Sequence, residues 1–405
     1  MTIKLKQAFG LVATSVLLAG CLNNLDTEVS NADVIGPNEV VVQTTNNRLG
    51  HEYQAVITDG RYQLSAAASA DNYLSSSGNA AAFEQGLVAI SQSVFPTNQY
   101  LLREGQLIDA ATLTSWISRE SELYPDGLNP ALPVQEQPVA ESASSESSES
   151  SSESSSASSD TNTQVVLEGA STPIYLAQIM EKDLMIETAN GYELSGIVIG
   201  LAMNSEYQYT DANGVTTKQE ISIGEMRERG KAYATTIVGR LRNTEALRNI
   251  PIVVGIFRQA PSNDIVGGTY LIDGVSREGN AITDWTEHNE SRIALPVLNS
   301  AEATDRYQYF YEFRNQVSNF FPNLNGITGE AFYVDGALSK LNIKIVTQFY
   351  QQTEITALTQ HALDVAQNQF PANIPVEIKI ESGLGIEAVI SRAANSESYQ
   401  SYVFE

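Results

Sequence analysis

Residues 196–203 read GIVIGLAM and residues 250–257 read IPIVVGIF, and these two stretches decide the fold class. A run of consecutive apolar residues indicates a strand that is buried on both faces. Between them, residues 223–243 carry apolar side chains at helical spacing from Met226 to Leu241, which predicts a long helix. The sequence therefore predicts an α+β protein with mixed or antiparallel sheets and packed helices.

Elements of both kinds are also predicted on either side of this core. Residues 80–91 have helical spacing and stop before a proline at position 96, and residues 109–117 form a second helix with Asp109 as its N-cap. Residues 173–180 predict a further helix, because Pro173 lies at its start. Additional strands are expected near residues 269–272 and 292–297.

The last hundred residues show the same order of elements twice. The predicted helices are residues 307–321 and 355–370, and each ends in Phe-Pro. Two strand signals follow each helix, at residues 327–334 and 341–349 and again at 376–380 and 386–390. This order favours an α+β unit with its helices on one side of an antiparallel sheet, and both a duplication and a coincidence of common elements would produce it.

Two polar segments divide the chain. Residues 21–47 predict a flexible tether, and residues 134–163 predict a disordered insertion, since residues 142–159 are only Ser, Glu and Ala and cannot form a core. A spacer is favoured over a glycosylated or recognised segment. The predicted organisation is a signal segment at 1–20, the tether, an α+β domain at 48–300 that contains the insertion, and a C-terminal α+β domain at 301–405.

The first 21 residues have the features of a lipoprotein signal. Lys4 and Lys6 precede an apolar run at residues 8–18, and the sequence LAGC follows at 18–21. We interpret Leu18, Ala19 and Gly20 as the cleavage signal and Cys21 as the residue that receives lipid. The run is shorter than the roughly 20 apolar residues of a membrane span. An ordinary signal peptide with a chance cysteine is the alternative, but Cys21 is the only cysteine in the chain.

Charge and cysteine content exclude several classes of function. The formal net charge is −25, and it becomes −27 after cleavage because residues 1–20 carry two lysines and no acid. Such a surface repels phosphate backbones, so we expect no nucleic-acid partner, and membrane contact should come only from the lipid on Cys21. A single cysteine leaves no disulfides, which favours a Gram-positive envelope.

No motif of a familiar catalytic or metal site is present. The histidines His51, His288 and His361 are far apart, and with one cysteine a thiolate zinc site is excluded. The segment 224–231 has the wrong spacing for a phosphate-binding loop, and we interpret it as helix. We therefore expect no cofactor, no metal and no enzyme activity of a familiar class.

Two polar segments are candidates for a binding surface because each follows an apolar stretch. Ordinary turn and capping chemistry is the favoured alternative for the second of them. If both belonged to one face, they would bind an unknown small molecule, peptide or protein. The residues are Arg103, Glu104, Gln106 and Asp109 in the first segment and Arg258, Gln259, Asn263 and Asp264 in the second.

Several stretches together resemble the CamS-type sex-pheromone lipoproteins of Gram-positive bacteria. The resemblance extends over nearly the whole chain outside the Ser-rich insertion. The matching stretches are residues 83–87, 95–100, 103–109, Trp116, 127–130, 199–205, 250–255, 259–261, 320–323 and 348–350.

This resemblance implies that a short apolar peptide cut from the signal sequence can act as a mating pheromone. The corresponding stretch is residues 14–20, TSVLLAG, which has less Ala, Ile and Phe than the family's known pheromone. Three hypotheses follow: a lipid-anchored protein on the outer face of the cell membrane with a binding role, a pheromone precursor, and a cell-wall enzyme without a recognisable motif.

Overall fold

The computed structural model describes residues 52–58, 61–135, 165–166, 172–189, 191–210, 213–297, 306–321 and 324–404. Cys21, the cleavage signal at Leu18, Ala19 and Gly20, the tether and nearly all of the insertion lie outside these residues. The helices are α1 (Ser77–Ser91), α2 (Ala110–Ile117), α3 (Ile223–Arg242), α4 (Gln308–Phe320) and α5 (Gln352–Gln369), with a 3-10 turn at Glu245–Leu247. None of the helices in the described part is long and apolar enough to cross a membrane.

Nineteen strands are present in the described residues, and the fold is α+β as predicted. They are β1 (Gln54–Ala55), β2 (Ile57–Thr58), β3 (Arg61–Tyr62), β4 (Leu101–Glu104), β5 (Val134–Gln135), β6 (Val165–Val166), β7 (Leu176–Thr188), β8 (Gly191–Met203), β9 (Glu206–Thr210), β10 (Thr216–Glu220), β11 (Ile252–Arg258), β12 (Thr269–Ser276), β13 (Thr283–Glu287), β14 (Glu290–Leu295), β15 (Leu324–Val334), β16 (Ala337–Thr347), β17 (Val376–Ser382), β18 (Gly385–Arg392) and β19 (Gln400–Val403).

The first large sheet has seven strands in the order β1-β4-β7-β8-β11-β12-β13. Strands β8 and β11 lie at its centre and are parallel, because α3 connects them across one face. Their alternate side chains pack on two different helix layers: Ile199 and Val254 join the core under α2 and α3, whereas Val198 and Val253 pack with α1. Burial on both faces explains their continuous apolar sequences, and the prediction of two buried strands is confirmed.

The prediction of a helix at residues 173–180 is wrong. This stretch begins β7, which pairs with β8 from Leu176 opposite Met203 to Thr188 opposite Gly191. Local propensity favoured a helix, but an extended hairpin with β8 buries the same apolar side chains and satisfies the backbone groups of both strands. Pairing with a distant segment therefore overrides the local preference.

The second large sheet has six strands in the order β14-β15-β16-β17-β18-β19. Its neighbours are antiparallel except β16 and β17, which are parallel because α5 connects them, so the wholly antiparallel sheet expected here is replaced by a mixed one. Helices α4 and α5 end before Phe321 and Phe370, both in extended conformation, as the Phe-Pro signals predicted. Both helices share one core with the inward face of this sheet.

The chain passes from the first sheet to the second between β13 and β14. Strand β14 already pairs with β15, so this passage lies before residue 301, where the sequence placed the start of the C-terminal part. Three two-stranded ladders complete the described residues: β2 with β3, β5 with β6, and β9 with β10.

Candidate functional site

The first polar segment predicted for a binding surface is mostly structural. Arg103 is 4% exposed, and its Nε and Nη2 atoms donate to Asp183 Oδ2 at 3.2 and 2.7 Å. Asp109 caps α2, accepting a hydrogen bond from the Thr112 amide at 2.7 Å as predicted. Gln106 donates to two backbone carbonyl oxygens at 2.9 and 3.0 Å.

Glu104 differs from its neighbours because it borders a cavity. Its Oε1 atom accepts hydrogen bonds from Lys182 Nζ at 2.8 Å and from the Tyr62 hydroxyl at 2.7 Å. Lys182 is buried and also donates to Glu84 Oε1 at 2.6 Å. Two carboxylates thus surround one ammonium group at this position, and the pKa of Lys182 is raised by these two partners against the opposing effect of burial.

The second segment also has mainly internal contacts. Gln259 is 2% exposed, donates to Asn204 Oδ1 at 2.9 Å and accepts from the Ser75 amide at 2.9 Å. Asp264 accepts from the backbone of Val266 at 3.3 Å, which is the turn chemistry expected for this loop. Arg258 ends β11, and Asn263 is exposed.

The structure does not bring the two segments together. Strands β4 and β11 are separated by β7 and β8, which corresponds to about 14 Å at the usual strand spacing. Arg103 is level with Asp183 and Ile197 in the sheet, whereas Arg258 is level with Met203, roughly 20 Å further along the strands. The two segments therefore lie at separate positions of the first sheet, and a binding surface that joins them stays a prediction.

A buried acidic cluster lies beside Arg103. Glu181 accepts hydrogen bonds from the amides of Leu107 and Ile108 at 3.0 and 2.8 Å, and it is two residues from Asp183 on β7. Burial, reinforced by the negative charge of Asp183, raises the pKa of Glu181 well above its usual value. Burial also raises the pKa of Asp183, and the Arg103 guanidinium opposes this shift.

Two cavities follow one another along the edge of β7 beyond the end of β4. The first, about 290 Å³, is bordered by residues of β7 from Gln178 to Lys182, and the second, about 350 Å³, by Leu176 and Ala177. Helix α2 lines both cavities, and the segment 65–74 forms their outer wall. We call these two cavities together the edge groove.

A third cavity, of about 480 Å³, lies where the two large sheets meet. We call it the junction cleft, and it is lined by α1, β12, β14 and residues of β15 and β16, including Lys340. His288 lies in it with Nε2 2.6 Å from Asp273 Oδ1 and Nδ1 3.9 Å from Glu290 Oε1. The hydrogen bond to Asp273 raises the pKa of His288, and burial opposes this rise.

The arrangement around His288 holds the imidazole ring rather than presenting it to a substrate. Each ring nitrogen faces a carboxylate, so neither nitrogen is directed at a hydroxyl nucleophile as in a catalytic triad. Within the described residues, no group of three His, Cys, Asp or Glu side chains is suited to a metal ion. The junction cleft therefore holds an imidazole between two carboxylates, and this group can respond to pH.

Sequence reasoning missed both the edge groove and the junction cleft. His288 stands in the stretch 284–292, DWTEHNESR, between two predicted strands, but Asp273 is fifteen residues away and only strand pairing brings it near. The edge groove depends on β7, of which the residues up to 180 were predicted as helix.

Comparison with known proteins identifies the family. The family model described as CamS sex pheromone cAM373 precursor matches residues 62–398, which is more than half of the chain. The chain belongs to the CamS family. A search of curated proteins gave no match.

Two solved CamS structures resemble the chain over most of its length. A sex pheromone precursor from Lactobacillus salivarius subsp. salivarius UCC118 is 32% identical with a TM-score of 0.74, covering 90% of this chain and 99% of that one. The C-terminal domain of the sex pheromone staph-cAM373 precursor from Staphylococcus aureus is 25% identical with a TM-score of 0.64, covering 82% of this chain and 99% of that one. The resemblance inferred from the sequence motifs is confirmed.

Proposed function

We propose that this CamS protein is exported, is anchored to the outer face of the cell membrane by lipid on Cys21, and binds a partner with its folded part. The LAGC sequence at residues 18–21 supports the anchor, since Cys21 is the only cysteine in the chain. A cationic start and a short apolar run before it support export. A lipid anchor makes the strongly acidic folded part a surface protein despite its repulsion from anionic lipid.

The edge groove is the observation that carries the binding role. It joins two cavities along β7 to a short strand edge at Ile179, where no described residue of β4 or of the segment 65–74 bonds the backbone. This combination offers a ligand both backbone hydrogen bonds and apolar contact. The junction cleft supports binding over catalysis as well, because carboxylates occupy both sides of the His288 ring. A cell-wall enzyme would need a polar group free to act on substrate.

Replacement of the lipidated residue tests the anchor. Cys21→Ala should release the protein from the membrane fraction, abolish incorporation of labelled palmitate, and change the mass of the product. Asn23→Ala, two residues further along, is the matched control and should remain membrane-bound and labelled. A Cys21→Ala protein that stays in the membrane with unchanged mass would contradict the anchor.

The descriptions of the relatives as sex pheromone precursors favour a second candidate function for the signal segment. Residues 14–20 would be the released product, and the folded part would be the remainder of its precursor. This function also requires cleavage before Cys21, so the mass of the mature product tests it as well.

A further inference from the structure

One residue of the β7 edge next to the groove, Ile179, has backbone groups that bond no other described residue on the β4 side. The Gly105 amide donates to Glu181 O at 3.2 Å, which shows that the backbone of Glu181 faces the β4 side. Because backbone direction alternates along a strand, the N–H and C=O of Ile179 face the same side. Strand β4 ends at Glu104, so no strand in the described residues reaches Ile179.

The outer wall of the groove does not fill this gap. The segment 65–75 is held at both ends, where the Ala66 amide donates to Gly105 O at 2.9 Å and the Ser75 amide donates to Gln259 Oε1 at 2.9 Å. Among the described residues, it makes no backbone hydrogen bond to β7. A strand edge with free N–H and C=O groups pairs readily with another extended chain.

Small side chains leave room on both sides of such an added strand. The wall contributes Ala67 and Ala68, and α1 contributes Ala80 and Ala81, while Leu113 and Ile179 line the opposite side. Larger side chains of a ligand can occupy the space that these alanines leave. The groove therefore suits apolar side chains on alternate positions of an extended peptide.

The charges at the two ends of the groove differ. At the β4 end, the carboxylates of Glu84 and Glu104 share the single ammonium group of Lys182, which leaves an excess negative charge. At the Leu176 end, Arg119 donates to the carbonyl oxygens of Pro130 and Thr172 and to a tyrosine hydroxyl, all neutral acceptors. Within the described residues, Arg119 has no carboxylate within ion-pair distance.

We propose that the edge groove binds a short apolar peptide as an added strand, antiparallel to β7 and continuing the direction of β4. The peptide amino group lies near Glu104 and its terminal carboxylate near Arg119. Gly105 already bonds Glu181 O, and the buried Asn129 side chain bonds both the N–H and the C=O of Leu176, so the open interval of β7 is residues 177–180. It accommodates about four paired residues of an extended peptide, with Ile179 as the position that exchanges backbone hydrogen bonds. This inference rests on the proposed binding role and specifies the partner and its orientation.

Backbone methylation of the peptide tests the inference without altering the protein. The probe is a pool of pentapeptides with free termini made of Ala, Val, Leu and Thr, and binding to the full-length protein is measured by calorimetry. One pool is N-methylated at residue 3 and another at residues 2 and 4. Because amides alternate in direction, only one of the two should lose binding, by about tenfold or more for a lost hydrogen bond.

Two further binding measurements test the role of the peptide carboxylate and the role of the cavity beside the wall. A C-terminally amidated pool should bind more weakly than the free acid, since it lacks the carboxylate for Arg119. Ala68→Leu should reduce binding by filling the cavity, whereas Ser69→Leu, at the exposed neighbouring position outside the cavity lining, is the matched control and should bind as the unchanged protein does.

The absence of saturable binding by the unmethylated pool, or an equal loss in both methylated pools, would overturn the inference. Membrane attachment through Cys21 is measured separately by fractionation. Failure of peptide binding in a protein that is still anchored would remove the strand-addition site and leave the anchor standing.

Discussion

At the residue scale, burial decides which polar side chains are structural. Arg103 and Gln259 were candidates for ligand binding from the sequence, but both are almost fully buried and hydrogen-bonded within the protein. Asp109 was correctly predicted as a helix cap, because capping depends on neighbours only three residues away. The partner of Arg103 is Asp183, eighty residues along the chain, and no local pattern connects them.

Arg103→Ala should destabilise the protein by about 3–5 kcal/mol, because it leaves the Asp183 carboxylate buried without its guanidinium partner. The free energy of unfolding in urea measures this loss. Arg277→Ala is the control: Arg277 pairs with Asp284 at 3.7 Å with both side chains more than half exposed, and its loss should cost no more than about 1 kcal/mol. Equal losses in the two variants would show that the Arg103 pair contributes no more than a surface pair.

At the scale of elements, close packing fixes the position of α1 on the first sheet. Gly200 on β8 lies beneath α1, and a Cβ atom there would come within 2.7 Å of the Phe83 ring and 3.1 Å of Leu87. The sequence predicted β8 and α1 separately, from apolar runs and helical spacing. It could not show that they are in contact, because that contact depends on how the sheet and the helix layer assemble.

Gly200→Ala should destabilise the protein by about 1–3 kcal/mol, since α1 or the Phe83 ring must shift to admit the methyl group. Gly239→Ala on α3 is the matched control, because the nearest atom to its added Cβ is 3.8 Å away. A helical Gly→Ala change with free space should instead stabilise by about 0.5–1 kcal/mol. Thermal unfolding distinguishes the expected destabilisation by Gly200→Ala from the expected stabilisation by Gly239→Ala. A stabilising Gly200→Ala would contradict the described packing of α1.

At the scale of the whole molecule, polar contacts of His288, Glu290 and Arg292 join the two sheets. His288 lies in the connection between β13 and β14 and is anchored to β12 by Asp273. Glu290 on β14 accepts a hydrogen bond from the Tyr270 amide at 3.2 Å, and Arg292 donates to Gly268 O at 3.1 Å. The relation between the two sheets therefore includes an imidazole that is sensitive to pH.

The stability supplied by His288 should fall as pH rises. Its pKa in the folded state exceeds the usual 6.5, so the stabilisation is complete below 6.5 and is lost as pH rises through the folded-state pKa. His288→Gln should flatten this part of the dependence of unfolding free energy on pH. Burial also raises the pKa of Glu181 and of Asp183, and their losses occur in both proteins and cancel in the difference between the two curves. That difference reports His288 together with Glu290, whose pKa burial raises and the imidazole charge lowers. Identical slopes in the two proteins would contradict a charged His288–Asp273 pair.

The sequence by itself determined elements whose signals are local: the buried strands β8 and β11, the cap of α2 at Asp109, and the Phe-Pro ends of α4 and α5. The lipoprotein signal before Cys21 stays a prediction from the sequence. Tertiary structure alone decided that residues 176–188 are a strand, that Arg103 is buried, and that the edge groove and the junction cleft exist. Caps and periodicity act within a few residues along the chain. Strand pairing and burial depend on residues that are distant in sequence and become neighbours only when the sheets form.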